Sequence, residues 1–488
     1  MTEHETAASP APGAHAHDRR WLALIVLCLG VLMIVLDTTI VNVALPSIKS
    51  DLGFSETSLA WVVNAYMLTF GGFLLLGGRL GDLYGHRRFF LIGITLFTLA
   101  SLACGLATTQ TFLVAARAIQ GLGGATVTAV ALSLIMDLFS EPADRAKAMG
   151  VYGFVCAGGG SIGVLLGGLL TDTLNWHWIF LVNLPIGALV YALSIWLLPV
   201  GSKASASRSL DVAGAVTVTT SIMLAVYAIV NGNEAGWTSV QTLGLLGAAA
   251  ALLAVFLVVE SRIASPLMPL GLFRLRNVAV ANVVGVFWAA AMFAWFFLSA
   301  LYMQLVLGYA PMEVGLAFLP SNLIMAAFSL GLSAKIVMRF GIRVPLFVGL
   351  MLAAAGLLLF ARASVDGKLL ADVLPGMLLL GLGAGMAFNP VLMAAMSEVG
   401  PEDSGLASGV VNTSFMMGGA LGLAVLASLA ASRTASVAAE GLDRAASLAA
   451  GYRVAFFVGA LFAAFAAIFG GALLRTRDAL RTADAPAH

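Results

Sequence analysis

Long apolar segments separated by short polar loops follow one another from Trp21 to Arg475. Fourteen of these segments are about 20 residues or longer, the length of helix that crosses a hydrocarbon core of about 30 Å. Each is predicted to be a helix, because lipid offers backbone polar groups no other hydrogen-bond partners. The predicted spans are 21–45, 58–78, 88–107, 112–136, 147–171, 178–198, 210–231, 238–259, 279–305, 313–335, 344–363, 370–396, 406–432 and 452–474.

The composition agrees with an integral membrane protein. Hydrophobic residues make up 60% of the chain and charged residues 10%, against roughly 25% charged in a soluble domain. Cys28, Cys104 and Cys156 all lie in apolar segments, so no disulfide framework is predicted. Residues 1–20 are polar and lead into the first span without a small-residue cleavage site, so we expect no cleaved signal peptide.

The distribution of Lys and Arg among the loops predicts the orientation. Placing the N-terminus in the cytoplasm puts most of the Lys and Arg residues on the cytoplasmic side. Fourteen spans then return the C-terminus to that side. We expect a multi-pass protein of the plasma (inner) membrane with both termini cytoplasmic.

An internal repeat relates the two halves of the chain. A shift of about 259 residues lays four glycines of span 5 over four of span 13: Gly150 over Gly409, Gly159 over Gly418, Gly160 over Gly419 and Gly163 over Gly422. The sequence therefore predicts an all-α membrane protein with two pseudo-symmetric six-helix bundles and an inserted two-helix hairpin. Parallel repeats of this kind are an architecture of secondary transporters. The predicted divisions are a tail (1–20), the first bundle (21–199), the hairpin with its linker (200–278), the second bundle (279–475) and a second tail (476–488).

A glycine-containing basic loop, GRLGDLYGHRR, joins spans 2 and 3 at residues 78–88. Gly78 and Gly85 permit a tight turn, and Asp82 can accept hydrogen bonds or meet a helix N-terminus. Arg87 and Arg88 have a simpler alternative role, as cytoplasmic anchors that set the topology.

Two charged residues are predicted inside the membrane at nearly the same depth. Asp37 lies about 24 Å above the inner end of span 1, and Arg117 lies about 7–8 Å below the outer end of span 4, at 1.5 Å per residue. Intramembrane ionisable residues are costly and by default suggest a functional site. The alternative is a purely structural ion pair.

Several motifs together resemble one family of transporters. LDTTIVNVALP (36–46), RAIQG (117–121) and WHWIFLVNLPIG (176–187) resemble the fourteen-span, multidrug-efflux drug:proton antiporters of the major facilitator superfamily. The loop at 78–88 resembles the superfamily signature G-x-L-x-D-x-x-G-R-[RK], with Asp82, Gly85 and a following basic pair in place. The resemblance covers residues 21 to 475 and implies a cytoplasmic gate at Gly78, Asp82, Gly85, Arg87 and Arg88.

The stretch GFVCAGGGSIGVLLGG (153–168) contains the spacing of a dinucleotide-binding loop, G-x-G-x-x-G. Such a loop needs a preceding strand in a βαβ unit, which this chain does not offer. The stretch instead resembles the antiporter motif of the same family through Gly159, Gly163, Gly167 and Gly168, with Val164 in place of the motif's proline. Glycines at every fourth position allow another helix to approach closely.

The chain carries no phosphate-binding G-x-x-x-x-G-K-[ST] motif, so an ion gradient is the predicted source of energy. We expect no cofactor and no metal. Burial favours the protonated form of a carboxylate and a nearby cation favours the charged form, so Asp37 with Arg117 is the predicted proton-coupling pair. The expected partners are protons, an amphiphilic small molecule and the bilayer, with no nucleic acid, and the protein is expected to be monomeric.

A cavity with one carboxylate and many Met, Phe and Trp residues suits amphiphilic compounds, such as drugs, toxins or secreted metabolites. The candidate cavity residues are Asn42, Tyr66, Gln120, Trp288, Trp295, Gln304 and Asn389. For the aromatic residues, helix packing or lipid contact is the alternative role. An uptake symporter or facilitator remains a second possible function. A membrane-embedded enzyme or receptor is a third, disfavoured because no cluster of His, Asp or Ser is visible in the spans.

Overall fold

A computed structural model describes residues 12–139, 141–198, 211–263, 266, 268–328, 332–362, 364–399 and 404–475. Within these ranges some side chains, that of Asp82 among them, lie outside the described part. The described residues form helices joined by short loops, with no β-strand among them. Of the two predicted tails, residues 1–11 and 476–488 are not described.

Seven helices make up the first part of the fold. They are α1 (Pro12–Leu52), α2 (Trp61–Tyr84), α3 (His86–Gly105), α4 (Gln110–Leu138), α5 (Pro142–Thr173), α6 (Trp178–Leu181) and α7 (Asn183–Leu197). Helix α1 begins inside the segment predicted as a polar tail, because proline is well suited to a first helical turn. Helix α4 begins at a capped end, where the Thr109 side chain accepts a hydrogen bond from the backbone N–H of Phe112.

The chain continues through a helical pair and a second large group of helices. The pair is α8 (Val212–Ala235) and α9 (Val240–Arg262), capped by the side chains of Asp211 and Ser239. The remaining helices are α10 (Arg276–Leu301), α11 (Pro311–Ala327), α12 (Ser333–Phe340), α13 (Arg343–Phe360), α14 (Leu374–Met396), α15 (Ser404–Ala439) and α16 (Arg444–Leu473). One turn of π-helix, Tyr302–Val306, extends α10, and another, Leu369–Val373, precedes α14.

Twelve helical segments in the described part are long and apolar enough to cross a membrane. Every predicted span overlaps a helix, which confirms the all-helical membrane fold. The described apolar parts of α5 and α11, Ile162–Thr173 and Pro311–Ala327, are shorter than the other twelve. The count of fourteen spans therefore stays a prediction.

The same pattern of helix pairing occurs twice along the chain. In the first group α1 packs on α5 and α7, while α4 packs on α2 and α3. In the second group α10 packs on α15 and α16, while α14 packs on α11 and α13. Contacts of α5 with α11 and of α2 with α15 join the two groups, and α8 lies against α2, α9 and α15. Helix α1 also contacts α10 and α11, so α1, α2, α5, α10, α11 and α15 lie along the seam between the groups.

The glycine stretch of α5 packs against two different helices. Gly159, Gly163 and Gly167 face α1 so closely that a Cβ on Gly167 would lie 2.6 Å from the carbonyl oxygen of Ile40. Gly168 faces α11, where a Cβ would lie 2.8 Å from the carbonyl oxygen of Pro311. The stretch therefore lets α5 approach backbone to backbone on both sides.

We predict that Gly167→Ala destabilises the fold by about 1–3 kcal/mol, because the added methyl group would overlap the α1 backbone. Thermal unfolding of the purified protein in detergent measures the loss. The matched control is Gly244→Ala in α9, where an added Cβ meets nothing within 4 Å. Equal melting temperatures for the two variants would contradict this account of the close α5–α1 contact.

Candidate functional site

The two intramembrane charges form a direct ion pair between α1 and α4. Arg117 donates from Nη1 to Oδ2 of Asp37 at 2.5 Å. Asp37 is 0% exposed and Arg117 is 1% exposed. A charge buried in apolar surroundings is tolerated only when it is paired and hydrogen-bonded, so the two side chains require each other.

Two amide side chains complete the surroundings of the Asp37 carboxylate. Gln120, one helical turn beyond Arg117 on α4, donates from Nε2 to Oδ1 of Asp37 at 2.7 Å. Asn183, at the start of α7, donates from Nδ2 to the same oxygen at 3.3 Å. Asp37 thus accepts three hydrogen bonds from two helices, α4 and α7.

The guanidinium of Arg117 is also held on several sides. Its Nε donates to the backbone carbonyl of Val62 on α2 at 2.9 Å, and Nη1 also donates to Oε1 of Gln120 at 2.7 Å. Its Cζ lies 4.4 Å from the ring centroid of Tyr66 and 5.6 Å from that of Phe180. The cation is therefore stabilised by the faces of two aromatic rings as well as by acceptors.

Three residues of this cluster were not identified as site residues from the sequence. Ser101 on α3 accepts from Asn183 at 3.0 Å and donates to the carbonyl oxygen of Phe180 at 2.9 Å. Cys104 donates through its sulfur to Gln120 at 3.6 Å. The Asn in WHWIFLVNLPIG was a usable signal for Asn183, since a buried amide needs partners. Ser101 and Cys104 offered none, because small polar residues are common in packed membrane helices.

Four of the seven predicted cavity residues lie in α1, contact it, or belong to the buried cluster around the ion pair. Tyr66 and Gln120 belong to the buried cluster around the ion pair and are 1% and 0% exposed. Asn42 donates to the carbonyl oxygen of Thr38 in its own helix at 3.2 Å. Gln304 joins the two helix groups by donating to the carbonyl oxygen of Val43 at 2.8 Å.

The remaining cavity candidates lie in the second helix group. Trp288 and Trp295 are buried on α10, and the indole nitrogen of each lacks a hydrogen-bond partner within the described part of the chain. Asn389 is half-buried on α14. The described residues hold no group of three or more His, Cys, Asp or Glu side chains placed to bind a metal ion.

The loop predicted as a gate forms the turn between α2 and α3. Gly85 adopts φ +100°, a conformation that favours glycine, and Gly78 lies near Ala129 of α4. Arg87 donates from Nη2 to the carbonyl oxygen of Ile195 on α7 at 2.6 Å, and Arg88 is exposed. The Asp82 side chain lies outside the described residues, so its predicted contact stays a prediction.

The antiporter-motif glycines lie one helix away from the ion pair. A Cβ on Gly163 would lie 3.0 Å from the carbonyl oxygen of Leu36, the residue before Asp37. Val164, the departure from the motif, is buried, and its carbonyl oxygen would lie 3.1 Å from a Cβ on Gly315 of α11. Helix α5 therefore contacts both the segment that carries Asp37 and the opposite helix group.

The free-energy cost of adding a proton to Asp37 depends on the side chains that surround it. With Asp37 charged, the pair is neutral as a whole, and both side chains are hydrogen-bonded to neighbouring groups. With Asp37 protonated, Arg117 keeps an unbalanced charge in apolar surroundings, which favours a rearrangement of the cluster.

We predict that Arg117→Gln destabilises the protein by about 3–5 kcal/mol at neutral pH, because it leaves Asp37 buried without its cation. This loss of stability is expected to become smaller as pH falls, since protonation of Asp37 removes the unpaired charge in the variant. Thermal unfolding in detergent across pH measures both effects. The matched control is the double variant Asp37→Asn with Arg117→Gln, which should recover most of the stability. A double variant as unstable as Arg117→Gln would contradict the ion-pair account.

Comparison with known proteins identifies the family to which this fold belongs. Residues 27–423 match the family model described as Major Facilitator Superfamily. The chain is 40% identical over 465 residues to the puromycin resistance protein pur8 of Streptomyces alboniger, covering 94% of this chain and 91% of that protein. It is 40% identical over 422 residues to the cephamycin export protein CmcT of Amycolatopsis lactamdurans, covering 86% of each.

The fold is also similar to that of solved transporters. A bacterial homologue of the human lysosomal transporter Spinster, in an inward-facing and unoccupied conformation, superposes with a TM-score of 0.64 at 17% identity, covering 98% of this chain and 100% of the other. The matched family segment includes α3, α4, α7 and the part of α1 from residue 27 onward, which carry the buried cluster. The chain therefore belongs to the major facilitator superfamily and is a transporter rather than an enzyme.

Proposed function

We propose that the protein exports amphiphilic small molecules by proton-coupled antiport through alternating access. The observation that carries the proposal is the fully buried Asp37–Arg117 pair with its amide donors. Export is supported by relatives named as a puromycin resistance protein and a cephamycin export protein. Drugs, toxins and secreted metabolites are the substrate classes that fit, and the proton gradient takes the place of a cofactor.

In the proposed cycle Asp37 carries the proton. Protonation removes its attraction for Arg117, and the guanidinium then depends on Gln120, the Val62 carbonyl and the Tyr66 ring. The changed balance loosens α1 from α4 and favours the alternative arrangement of the two helix groups. Release of the proton on the other side restores the ion pair and returns the transporter to its first state.

The proposed cytoplasmic gate is formed by Gly78, Asp82, Gly85, Arg87 and Arg88. Gly85 provides the tight turn that brings α2 and α3 together, and Arg87 ties that turn to α7 through the carbonyl oxygen of Ile195. Because the turn is anchored on three helices of one group, it can act as a rigid edge when the groups move. Asp82 would bind the opposite group across this edge.

The proposed topology has fourteen spans with both termini in the cytoplasm and the protein monomeric in the plasma membrane. Helix α5 is 32 residues long in all, and α11, at 17 residues, is within the range that crosses a bilayer. Adding them to the twelve longer spans gives the proposed count. The doubled pairing pattern supports bundles at 21–199 and 279–475, with an inserted hairpin in 200–278.

Unpartnered polar atoms support an amphiphilic substrate. The indole nitrogens of Trp288 and Trp295 and the hydroxyl of Tyr66 are buried and lack hydrogen-bond partners within the described residues. A buried donor without an acceptor is costly unless water or a ligand supplies one. An aromatic compound with a few acceptor atoms fits such surroundings better than a sugar or a phosphate.

A second candidate function is uptake by symport or facilitated diffusion. The observation that favours it is Val164, which replaces the proline of the antiporter motif at the α5–α11 contact. Without that proline, α5 keeps a regular backbone where the family pattern has a kink.

We predict that Asp37→Asn reduces proton-driven transport in everted membrane vesicles to background, because asparagine cannot take up a proton. Transport by the parent protein should rise with the imposed pH gradient, whereas transport by the variant should not depend on it. Substrate accumulation and proton efflux in the same vesicles provide the measurement.

The matched control for this experiment is Asp172→Asn. It removes an exposed carboxylate near the end of α5, away from the buried cluster, and should leave transport unchanged. If Asp37→Asn retains transport that depends on the pH gradient, Asp37 is not the coupling carboxylate.

The direction of transport is predicted to be outward. Expression in a bacterial host should lower the accumulation of a fluorescent amphiphilic cation such as ethidium, and a protonophore should abolish the difference. Cells expressing Asp37→Asn are the comparison. Accumulation above that of the comparison cells would favour the uptake function instead.

A further inference from the structure

An open groove of about 810 Å³ lies on the outer surface of the first helix group, between α3 and α7. Its apolar lining includes Leu91, Leu96, Leu99 and Tyr191. Arg87 and Arg88 lie at the end where α3 begins. The groove is separate from the buried cluster, because the lining side chains of α3 point away from the bundle interior and Leu99 is 59% exposed.

The length of the groove corresponds to one leaflet of a membrane. From Arg88 to Leu99 the helix rises about 17 Å at 1.5 Å per residue. Half of a hydrocarbon core of about 30 Å is about 15 Å. The groove therefore begins at the depth of the headgroups on the side of the α2–α3 turn and ends near the middle of the bilayer.

Positive charge is concentrated at the headgroup end. Among the described residues no acidic side chain forms an ion pair with Arg87 or Arg88. The nearby carboxylate of Asp137 is 2.9 Å from Nδ1 of His86 instead. The Nε atom of Arg87 is buried and lacks a hydrogen-bond partner in that part of the chain. The N-cap residue of helix α3, Gly85, provides no side-chain cap, so the first N–H groups of the helix add to the positive field.

We propose that this groove is a binding site for an anionic phospholipid. The phosphate of the headgroup accepts hydrogen bonds from Arg87 and Arg88, and one acyl chain lies along Leu91, Leu96 and Leu99. A basic end joined to an apolar channel of one-leaflet length matches the two parts of such a lipid. The occupant belongs to the leaflet that borders the α2–α3 turn.

Two other occupants fit the groove less well. An amphiphilic cation of the kind proposed for transport would be repelled by the two arginines. Free phosphate would satisfy the arginines but would leave the apolar lining uncovered. The proposal is independent of proton coupling, because neither arginine contacts Asp37 or Arg117 in the described structure.

The test uses the purified full-length protein in detergent, with native mass spectrometry to measure binding of phosphatidylglycerol and of phosphatidylcholine with the same acyl chains. Phosphatidylglycerol is expected to bind roughly fivefold more tightly or better. Arg87→Gln and Arg88→Gln should each lower that affinity roughly fivefold, since each removes one interaction with an anionic headgroup. Thermal unfolding of each variant without added lipid checks that it is folded.

Two further variants separate the headgroup end from the apolar channel. Thr95→Trp fills the middle of the groove without changing its charge and should weaken binding of both lipids. Arg343→Gln is the matched control, because Arg343 is exposed at the first residue of α13 and does not line the groove. It should leave phosphatidylglycerol affinity unchanged.

Equal affinity of the parent protein for the two lipids would overturn the proposal. So would an equal loss of affinity in Arg343→Gln, which would mean diffuse attraction to surface charge. If the two lipids bound Thr95→Trp as tightly as the parent protein, the acyl chain would not lie in the groove. Stabilisation of the protein by inorganic phosphate as large as that by phosphatidylglycerol would show that a lipid is not required.

Discussion

A single carboxylate in the hydrocarbon layer imposes the strictest constraint on this fold. Asp37 is 0% exposed, so neighbouring helices must supply its hydrogen bonds and its counter-charge. Arg117 and Gln120 come from α4 and Asn183 from α7, while α2 holds the arginine through a backbone carbonyl. Four helices are thereby fixed in register around one side chain, and the rest of the first helix group packs around them.

Helix α5 depends on a different kind of contact. Between α5 and α1, and between α5 and α11, glycines bring backbones within reach of each other, so packing there rests on van der Waals contact over small residues. Such contacts hold helices together without directional bonds. The polar cluster is rigid because its hydrogen bonds specify one geometry, whereas a glycine seam permits several.

The helices and the ion pair were predictable because both follow from the cost of polar groups in lipid. Apolar length predicted a helix in every expected segment, and the matching depths of Asp37 and Arg117 predicted their meeting. Sequence could not show that Gln120 donates to Asp37 or that the Tyr66 ring lies against Arg117, because each of these pairs joins helices distant in the chain. It missed Ser101 for the same reason, since its partners become visible only once α3 packs on α7.

Helix α5 connects the two helix groups directly, because its two faces contact one group each. One face lies on the α1 segment around Leu36, and the other, through Gly168 and the Val164 carbonyl, lies on α11 of the opposite group. Packed helices are separated by about 8–10 Å. Only α5 therefore separates the second helix group from the α1 segment next to Asp37. A movement of the second group can reach that segment through this one helix, without a long chain of intervening residues.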